Sequence, residues 1–300
     1  DYNTHREFGS GDRICYHGVT DLFRNPKLSA AVYASQKTPR SPSDVVFEVS
    51  SSMALGDHPG GFAGACWVFT NAESVRLYRG NDFIAEFTPD RRGRFAALPH
   101  PPIEIQDFVG SLLEKYEGLD QSTAPQVAAI LNEMRRDALN LSPLSRARML
   151  SLRLSANDLL RMYYKYIGVL GGPSSVYRFE AVWHGRTVRT VVKEPVQSVR
   201  LECPILTDGP TWDCAAVSLR AIDQNGNLLP YCGEAVQLSV EGPVKILGPA
   251  IVPLRGGMAG TYLATTGEAG RAVLHCRMEG ALDVEAALTV RKRSGAENAN

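Results

Sequence analysis

The chain has 300 residues, 32 Lys plus Arg against 32 Asp plus Glu, and an apolar fraction of 44%. That length allows two or three domains, and the even charge with no basic stripe argues against a nucleic-acid partner. No apolar run approaches the ~20 residues a membrane-crossing helix needs, so no membrane span is expected.

The opening run from Asp1 to Lys27 reads DYNTHREFGSGDRICYHGVTDLFRNPK. Charged residues, three glycines and few large apolar residues predict a functional loop, not a core strand or helix, and such loops sit on a rigid scaffold. No strand and no Met lead into it, which predicts the tail of a longer protein. Residues Pro26 to Tyr33 can form a short helix, with the proline near the first turn, where its missing N–H costs nothing. Lys37 to Asp44 (KTPRSPSD) has no periodicity and reads as a linker.

From Val45 the pattern is β. Strands are expected at 45–49, 65–70, 74–79 and 82–87, the last two joined by a turn at Gly80-Asn81-Asp82. Helical spacing then takes over. One helix is expected over 106–116 (Phe108, Val109, Leu112, Leu113, Tyr116) and another over 124–138 (Val127, Ile130, Leu131, Met134). A third is expected over 155–167, where Ser155-Ala-Asn-Asp158 fits an N-terminal cap. Pro143 and its Ser/Arg-rich surroundings are expected to separate the second and third. A hairpin follows at 176–183 and 187–192, turning at His184-Gly185-Arg186. A lone hairpin is marginal, so it is expected to complete the sheet begun at Val45, with the helices inserted between strands. From Gln197 to Lys292 the chain is all β, with strands at 199–203, 215–221, 235–240, 260–264 and 272–276. About seven short strands in roughly 95 residues fit an immunoglobulin-like sandwich. The tail, 293–300, is polar and expected to be disordered.

The six cysteines are Cys15, Cys66, Cys203, Cys214, Cys232 and Cys276. None forms a CxxC pair, so a zinc knuckle is not expected; buried free thiols in β cores are favoured over a disulfide. Asp208, Asp213 and Asp223 lack calcium-loop spacing. Leu254-Arg255-Gly256-Gly257 lacks the Gly-Lys-Ser/Thr of a phosphate loop and reads as a β turn. No metal and no cofactor are expected. Trp67 and Trp183 lie in alternating strands and are expected to pack in cores, whereas Trp212, in a loop, is more open to a binding role.

Several stretches resemble glycoside hydrolase family 2, the β-galactosidase group. DYNTHREFGSGDRICYHGVTDLFRNPKLSAAVY is similar to the end of that family's catalytic barrel, with Gly18-Val19, Arg24, Pro26 and Lys27 in the matching places. NAESVRLYRGND (Asn71–Asp82) and HPPIEI (His100–Ile105) look like the immunoglobulin-like domain after the barrel. AIDQNGNLLPYCGEAVQLSVEGPVKILGP (Ala221–Pro249) and LRGGMAGTYLATTGEAG (Leu254–Gly270) are similar to its later sandwich. The resemblance implies a mainly β fold: two immunoglobulin-like β-sandwich domains, the first with a helical insertion, preceded by the remnant of a (β/α)8 barrel end. The implied domains are 1–43, the barrel end; 44–197, a sandwich with an insertion at about 104–170; and 198–292, a second sandwich.

The family's retaining mechanism uses two carboxylates about 5–5.5 Å apart, and both come from earlier barrel strands, so no catalytic residue is assigned in this chain. Glu7-Phe8-Gly9 resembles the nucleophile signature, but too few residues separate it from Gly18 for the helix and strand the family places there. The resemblance assigns substrate contacts to Asp1 and His17. An Asp accepts bonds from hydroxyls, and a His donates or accepts near neutral pH. For His17 a supporting or capping role weighs equally, and His5, Arg6 and Arg13 read as solvated loop residues. The family's glucuronidases carry an Asn-x-Lys pair where this chain has Cys15 and His17, which favours a neutral sugar such as galactose. The implied function is the C-terminal part of a retaining exo-glycosidase acting on terminal β-galactosides, inactive by itself and meeting its carbohydrate substrate through the missing barrel. The alternative is a free-standing β-sandwich module that binds carbohydrate or another partner. Self-association into a homo-oligomer stays open, as does the compartment, with the cytoplasm favoured.

Overall fold

A computed structural model describes residues 18–21, 23–50, 65–168 and 175–292 of the chain. The chain divides into two compact units, residues 28–195 and residues 1–27 with 196–300. Each unit is built on antiparallel sheets, so the protein is mainly β, with two immunoglobulin-like sandwiches, the first carrying a helical insertion.

In the first unit, β1 (Phe47–Val49), β2 (Cys66–Thr70) and β5 (Ile103–Ile105) form one sheet in the order β1-β2-β5. β3 (Ser74–Arg79), β4 (Asp82–Phe87), β6 (Tyr177–Trp183) and β7 (Arg186–Lys193) form the other, in the order β4-β3-β6-β7. Period-two alternation sets which side chains enter the core: Cys66, Val68 and Thr70 of β2 are buried while Trp67 and Phe69 between them are only half-buried. The β6–β7 turn holds His184 at φ 49° and Gly185 at φ 71°. Two successive positive φ values are what a two-residue hairpin needs to match strand twist. The helix expected near Pro26 is α1 (Leu28–Ala34). The Lys37–Asp44 stretch after it is tied down by the buried Asn71 side chain, whose Nδ2 donates to the carbonyls of Lys37 (2.8 Å) and Asp44 (3.2 Å).

Between β5 and β6 lie α2 (Leu112–Glu117), α3 (Ala124–Arg136), α4 (Pro143–Ser151) and α5 (Ala156–Tyr166). They do not form a separate core. Leu113, Val127, Ile130 and Leu131 are fully buried in the same apolar cluster as Val68, Val75, Leu77 and Phe179 of the sheets. The insertion therefore closes the sandwich core. The α5 cap is the reciprocal one expected: Ser155 Oγ accepts from Asp158 N (3.1 Å) and the Asp158 carboxylate accepts from Ser155 N (3.3 Å).

Three expectations are corrected here. The helix expected from 106 begins at Leu112, because Asp107 Oδ1 accepts from the amides of Val109 (2.8 Å) and Gly110 (3.0 Å) and folds a turn instead. Gly110 there has φ 51°, and a Cβ on it would stand 2.6 Å from the Ile84 carbonyl oxygen. Pro143 does not separate helices but starts one. Ser142 caps α4 by accepting from Ser145 N, and the proline occupies the first turn, where it is tolerated. The hairpin β6–β7 joins β3, in register Ser74↔Val182 to Arg79↔Tyr177, whereas the Val45 stretch leads into β1 of the opposite sheet.

The second unit has β8 (Arg200–Glu202), β9 (Ile205–Leu206), β10 (Cys214–Ile222), β12 (Val244–Leu247) and β14 (Met258–Thr265) in one sheet, ordered β12-β14-β10-β8 with β9 also on β10. The facing sheet is β13-β11-β15-β16, from Ile251–Pro253, Ala235–Glu241, Gly270–Met278 and Val284–Val290. Its core holds Val217, Leu219, Val236, Leu263, Ala272 and Leu274. Of the described cysteines, all free thiols, Cys66, Cys203 and Cys276 are buried as expected, whereas Cys232 is half-buried and Cys214 is exposed.

Candidate functional site

The Gly18–Lys27 segment, whose motif carries the family resemblance, folds as a tight reversal. Thr20 bridges Pro26, Asp21 N donates to the Asn25 carbonyl (3.0 Å), and Lys27 N donates to the Val19 carbonyl (2.9 Å). The Asp21 carboxylate organises the loop from inside. Its Oδ1 accepts from Phe23 N (2.8 Å) and Asn25 N (2.9 Å), and its Oδ2 accepts from Asn25 Nδ2 (2.8 Å). Short side chains that bond their own backbone a few residues on favour such turns.

The reversal is seated on the β10–β14 pair. Asn25 is 2% exposed, and its Nδ2 also donates to the Ala259 carbonyl (2.8 Å). Ser218 Oγ donates to Asn25 Oδ1. The Phe23 ring lies against Tyr262 at 5.5 Å between centroids. Ser218 of β10 and Gly260 of β14 stand opposite each other in register, and a Cβ at Gly260 would be 2.2 Å from Phe23 Cγ. Only a glycine lets the aromatic ring lie on the strand this closely. Sequence reasoning missed Phe23, Asn25, Ser218 and Gly260 as a unit. The available signal was a small residue facing a glycine inside two strands, the mark of a close approach by another group.

Beside this seat opens a cleft of about 500 Å³, lined by Phe23, Arg24, Leu247, Pro249, Val252 and Tyr262. It offers aromatic surface and one guanidinium. Asp21 is its nearest carboxylate in sequence, and both its oxygens are engaged in the turn. The arrangement positions a loop and can bind; it holds no acid–base pair. Asp1 and His17, the predicted substrate contacts, lie outside the described residues, as do Glu7 and Cys15.

Elsewhere, the carboxylates whose pKa the structure moves are moved down. Hydrogen bonds from Lys165 and Tyr166 hold Glu117 down at about 2. Ser122 and Thr123 hold Asp120 well below the usual carboxylate range, and bonds from Lys115 and Tyr116 do the same for Asp82. A general acid for glycoside cleavage needs the opposite shift; these groups serve as ion-pair and cap acceptors. Among the described residues no group of three or more His, Cys, Asp or Glu is placed to hold a metal ion, and no helix is long and apolar enough to cross a membrane.

The tryptophans divide differently from expectation. Trp183 packs beside Val45, Ala72 and Ala181, with its ring 4.1 Å from that of His184. Trp212 is 40% exposed before β10. Trp67 is corrected: it alternates with core residues and so stands on the outward face of β2, half-buried, with Phe95 edge-on at 5.7 Å.

No family model matches the chain. It is 29% identical over 280 residues to a β-galactosidase of Thermoanaerobacter pseudethanolicus, covering 92% of this chain and 30% of that protein. It is 28% identical over 260 residues to a β-galactosidase of Thermoanaerobacterium thermosulfurigenes, covering 86% of this chain and 29% of that one. A β-galactosidase of Rhizobium radiobacter is 40% identical over 62 residues, 21% of this chain. The chain thus spans less than a third of the length of the first two relatives. A solved β-glycosidase from Bacteroides vulgatus superposes with a TM-score of 0.55 at 13% identity, over 93% of this chain and 28% of that one, a likeness of fold.

Proposed function

The chain is β-galactosidase-like, related to glycoside hydrolase family 2, and on that premise we propose that it forms the C-terminal part of a retaining exo-glycosidase acting on terminal β-galactosides. The observation that carries the reading is the alignment of 86–92% of this chain with 29–30% of two β-galactosidases. In this reading residues 1–43 close the end of the catalytic barrel, residues 44–197 and 198–292 are the sandwiches that follow it, and the two catalytic carboxylates lie upstream of Asp1. The downward shifts of Glu117, Asp120 and Asp82 agree with it, since none suits a proton donor.

The chemistry left to this chain is positioning. Asp1 and His17 contact the sugar in the −1 subsite, Asp1 as acceptor and His17 as donor or acceptor to a hydroxyl. The Asp21–Asn25 reversal, fixed by Asn25 to the Ala259 carbonyl, holds the loop's exit in place. Fixed contacts of this kind stabilise the transition state by orienting the substrate. The substrate choice is tested by expressing these residues with their upstream reading frame and comparing nitrophenyl β-galactoside with nitrophenyl β-glucuronide. Preference for the galactoside, with His17→Ala lowering kcat/KM about 10²-fold, is expected. Preference for the glucuronide, or indifference to His17→Ala, contradicts the substrate assignment.

A further inference from the structure

The outer face of the first sandwich carries a cleft that the hydrolase reading does not use. It measures about 820 Å³ and is lined by Trp67, Phe87 and Phe95, by Arg91, Arg92 and Arg94, and by Glu86, Asp90, Glu104 and Gln106. That volume falls within the ~300–1,000 Å³ of small-molecule sites and leaves room for more than one sugar ring. Trp67 of β2 pairs in register with Glu104 of β5, so indole and carboxylate stand side by side on one face of the sheet, at roughly 5 Å between Cβ atoms. Gln106 extends the polar edge by donating to Glu104 (3.2 Å). The opposite rim is the loop after β4. Asp90 folds this loop by accepting from the amides of Arg92 (2.9 Å) and Gly93 (2.9 Å), and Arg91 braces it by donating to the Pro99 carbonyl (2.8 Å).

We infer that this cleft binds a neutral oligosaccharide, with one pyranose ring laid on Trp67 and its hydroxyls met by Glu104, Gln106 and Arg92. Three arginines stand against three carboxylates, so the lining has no net charge to attract an ion. It does offer both donors and acceptors around an aromatic wall. A pyranose matches that pattern: apolar C–H groups on its faces, and hydroxyls at its edge that both donate and accept. An anionic ligand would face Glu86 and Glu104, whose carboxylates stand in the lining. The inference goes beyond the hydrolase reading and is tested with no hydrolysis step, so the failure of either leaves the other standing.

The experiment is titration of the 300-residue chain with β-1,4-galactotetraose, cellotetraose and tetragalacturonate by calorimetry. Saturable binding of a neutral tetrasaccharide is expected, weakened about tenfold or more by Trp67→Ala and about fivefold by Glu104→Ala, with thermal unfolding midpoints unchanged for Glu104→Ala. Trp212→Ala leaves the affinity as it was. Absence of binding to both neutral oligosaccharides, binding of the acidic one alone, or affinity indifferent to both Trp67→Ala and Glu104→Ala overturns the inference. The last result would leave the face to a protein neighbour.

Discussion

Two loops of the second unit are the same turn made from different residues. In each, an aspartate at the first position and an asparagine four residues on close a ring of hydrogen bonds. Asp21 Oδ1 accepts from Phe23 N and Asn25 N, and Asp223 Oδ1 accepts from Asn225 N (2.9 Å) and Asn227 N (2.8 Å). The second oxygen in each accepts from the asparagine Nδ2 at 2.8 Å. The flanking bridges, Thr20↔Pro26 and Ile222↔Leu228, keep the same offset. The fourth position is left-handed in both, with Arg24 at φ 65° and Gly226 at φ 82°. Glycine adopts that conformation freely, whereas an arginine does so at a cost of about 1–2 kcal/mol. Asn25 continues outward to the Ala259 carbonyl and to Ser218. The first turn is thus a plug in the β10–β14 surface, and its packing compensates for the strain at Arg24.

That contrast can be broken most forcefully at the seat. Gly260→Val forces Phe23 off the strand, and the second unit is expected to lose about 2–3 kcal/mol. Trypsin should then cut at Arg24 or Lys27 faster than in the native chain. Next in size, Asn25→Ala strands the Ser218 hydroxyl and the Ala259 carbonyl. Urea unfolding should register a loss of about 2 kcal/mol. No loss would mean that the plug adds nothing. Smaller still, exchanging the fourth residues should act with opposite signs. Arg24→Gly should stabilise by up to about 1 kcal/mol and Gly226→Arg destabilise by about the same; circular-dichroism melts of the two variants resolve the pair.

The gentlest effect belongs to the other unit. Glu117 joins α2 to α5 through Lys165 (2.7 Å) and Arg161 (3.1 Å). Its folded pKa, near 2, lies below the ordinary 4.5. A depressed carboxylate contributes stability that is complete above the ordinary pKa and is lost as pH falls toward the folded value. The first unit should therefore weaken between about pH 4.5 and 2, and Glu117→Gln should flatten that slope. A slope left unchanged in the variant assigns the acid sensitivity to other groups.

Much of the architecture was legible because it rests on local pattern. The strands Ser74–Arg79 and Asp82–Phe87 fall where alternation and the Gly80 turn place them. The cap at Ser155 likewise fixes the start of α5. The failures come from interactions that periodicity does not encode. Phe108 and Val109 are apolar at helical spacing and buried, yet Asn132 takes the Phe108 amide and Asp107 takes the Val109 amide into a turn. Trp67 alternates like a core residue, but alternation alone does not say which of two faces is inward; Cys66 and Val68 took that face. The Phe23 seat depends on residues more than 230 positions apart, Asn25 and Ala259, a distance no short-range signal spans. For the site, the family resemblance points to the opening loop, where the predicted contacts Asp1 and His17 lie outside the described residues.

The central claim, that this chain positions a substrate cleaved by carboxylates supplied upstream, meets its most direct test in nitrophenyl β-galactoside hydrolysis. The 300-residue chain alone should show no turnover, and the same residues expressed with the proposed upstream barrel should turn over. Hydrolysis by the 300-residue chain that is abolished by mutating one of its own carboxylates would contradict the account.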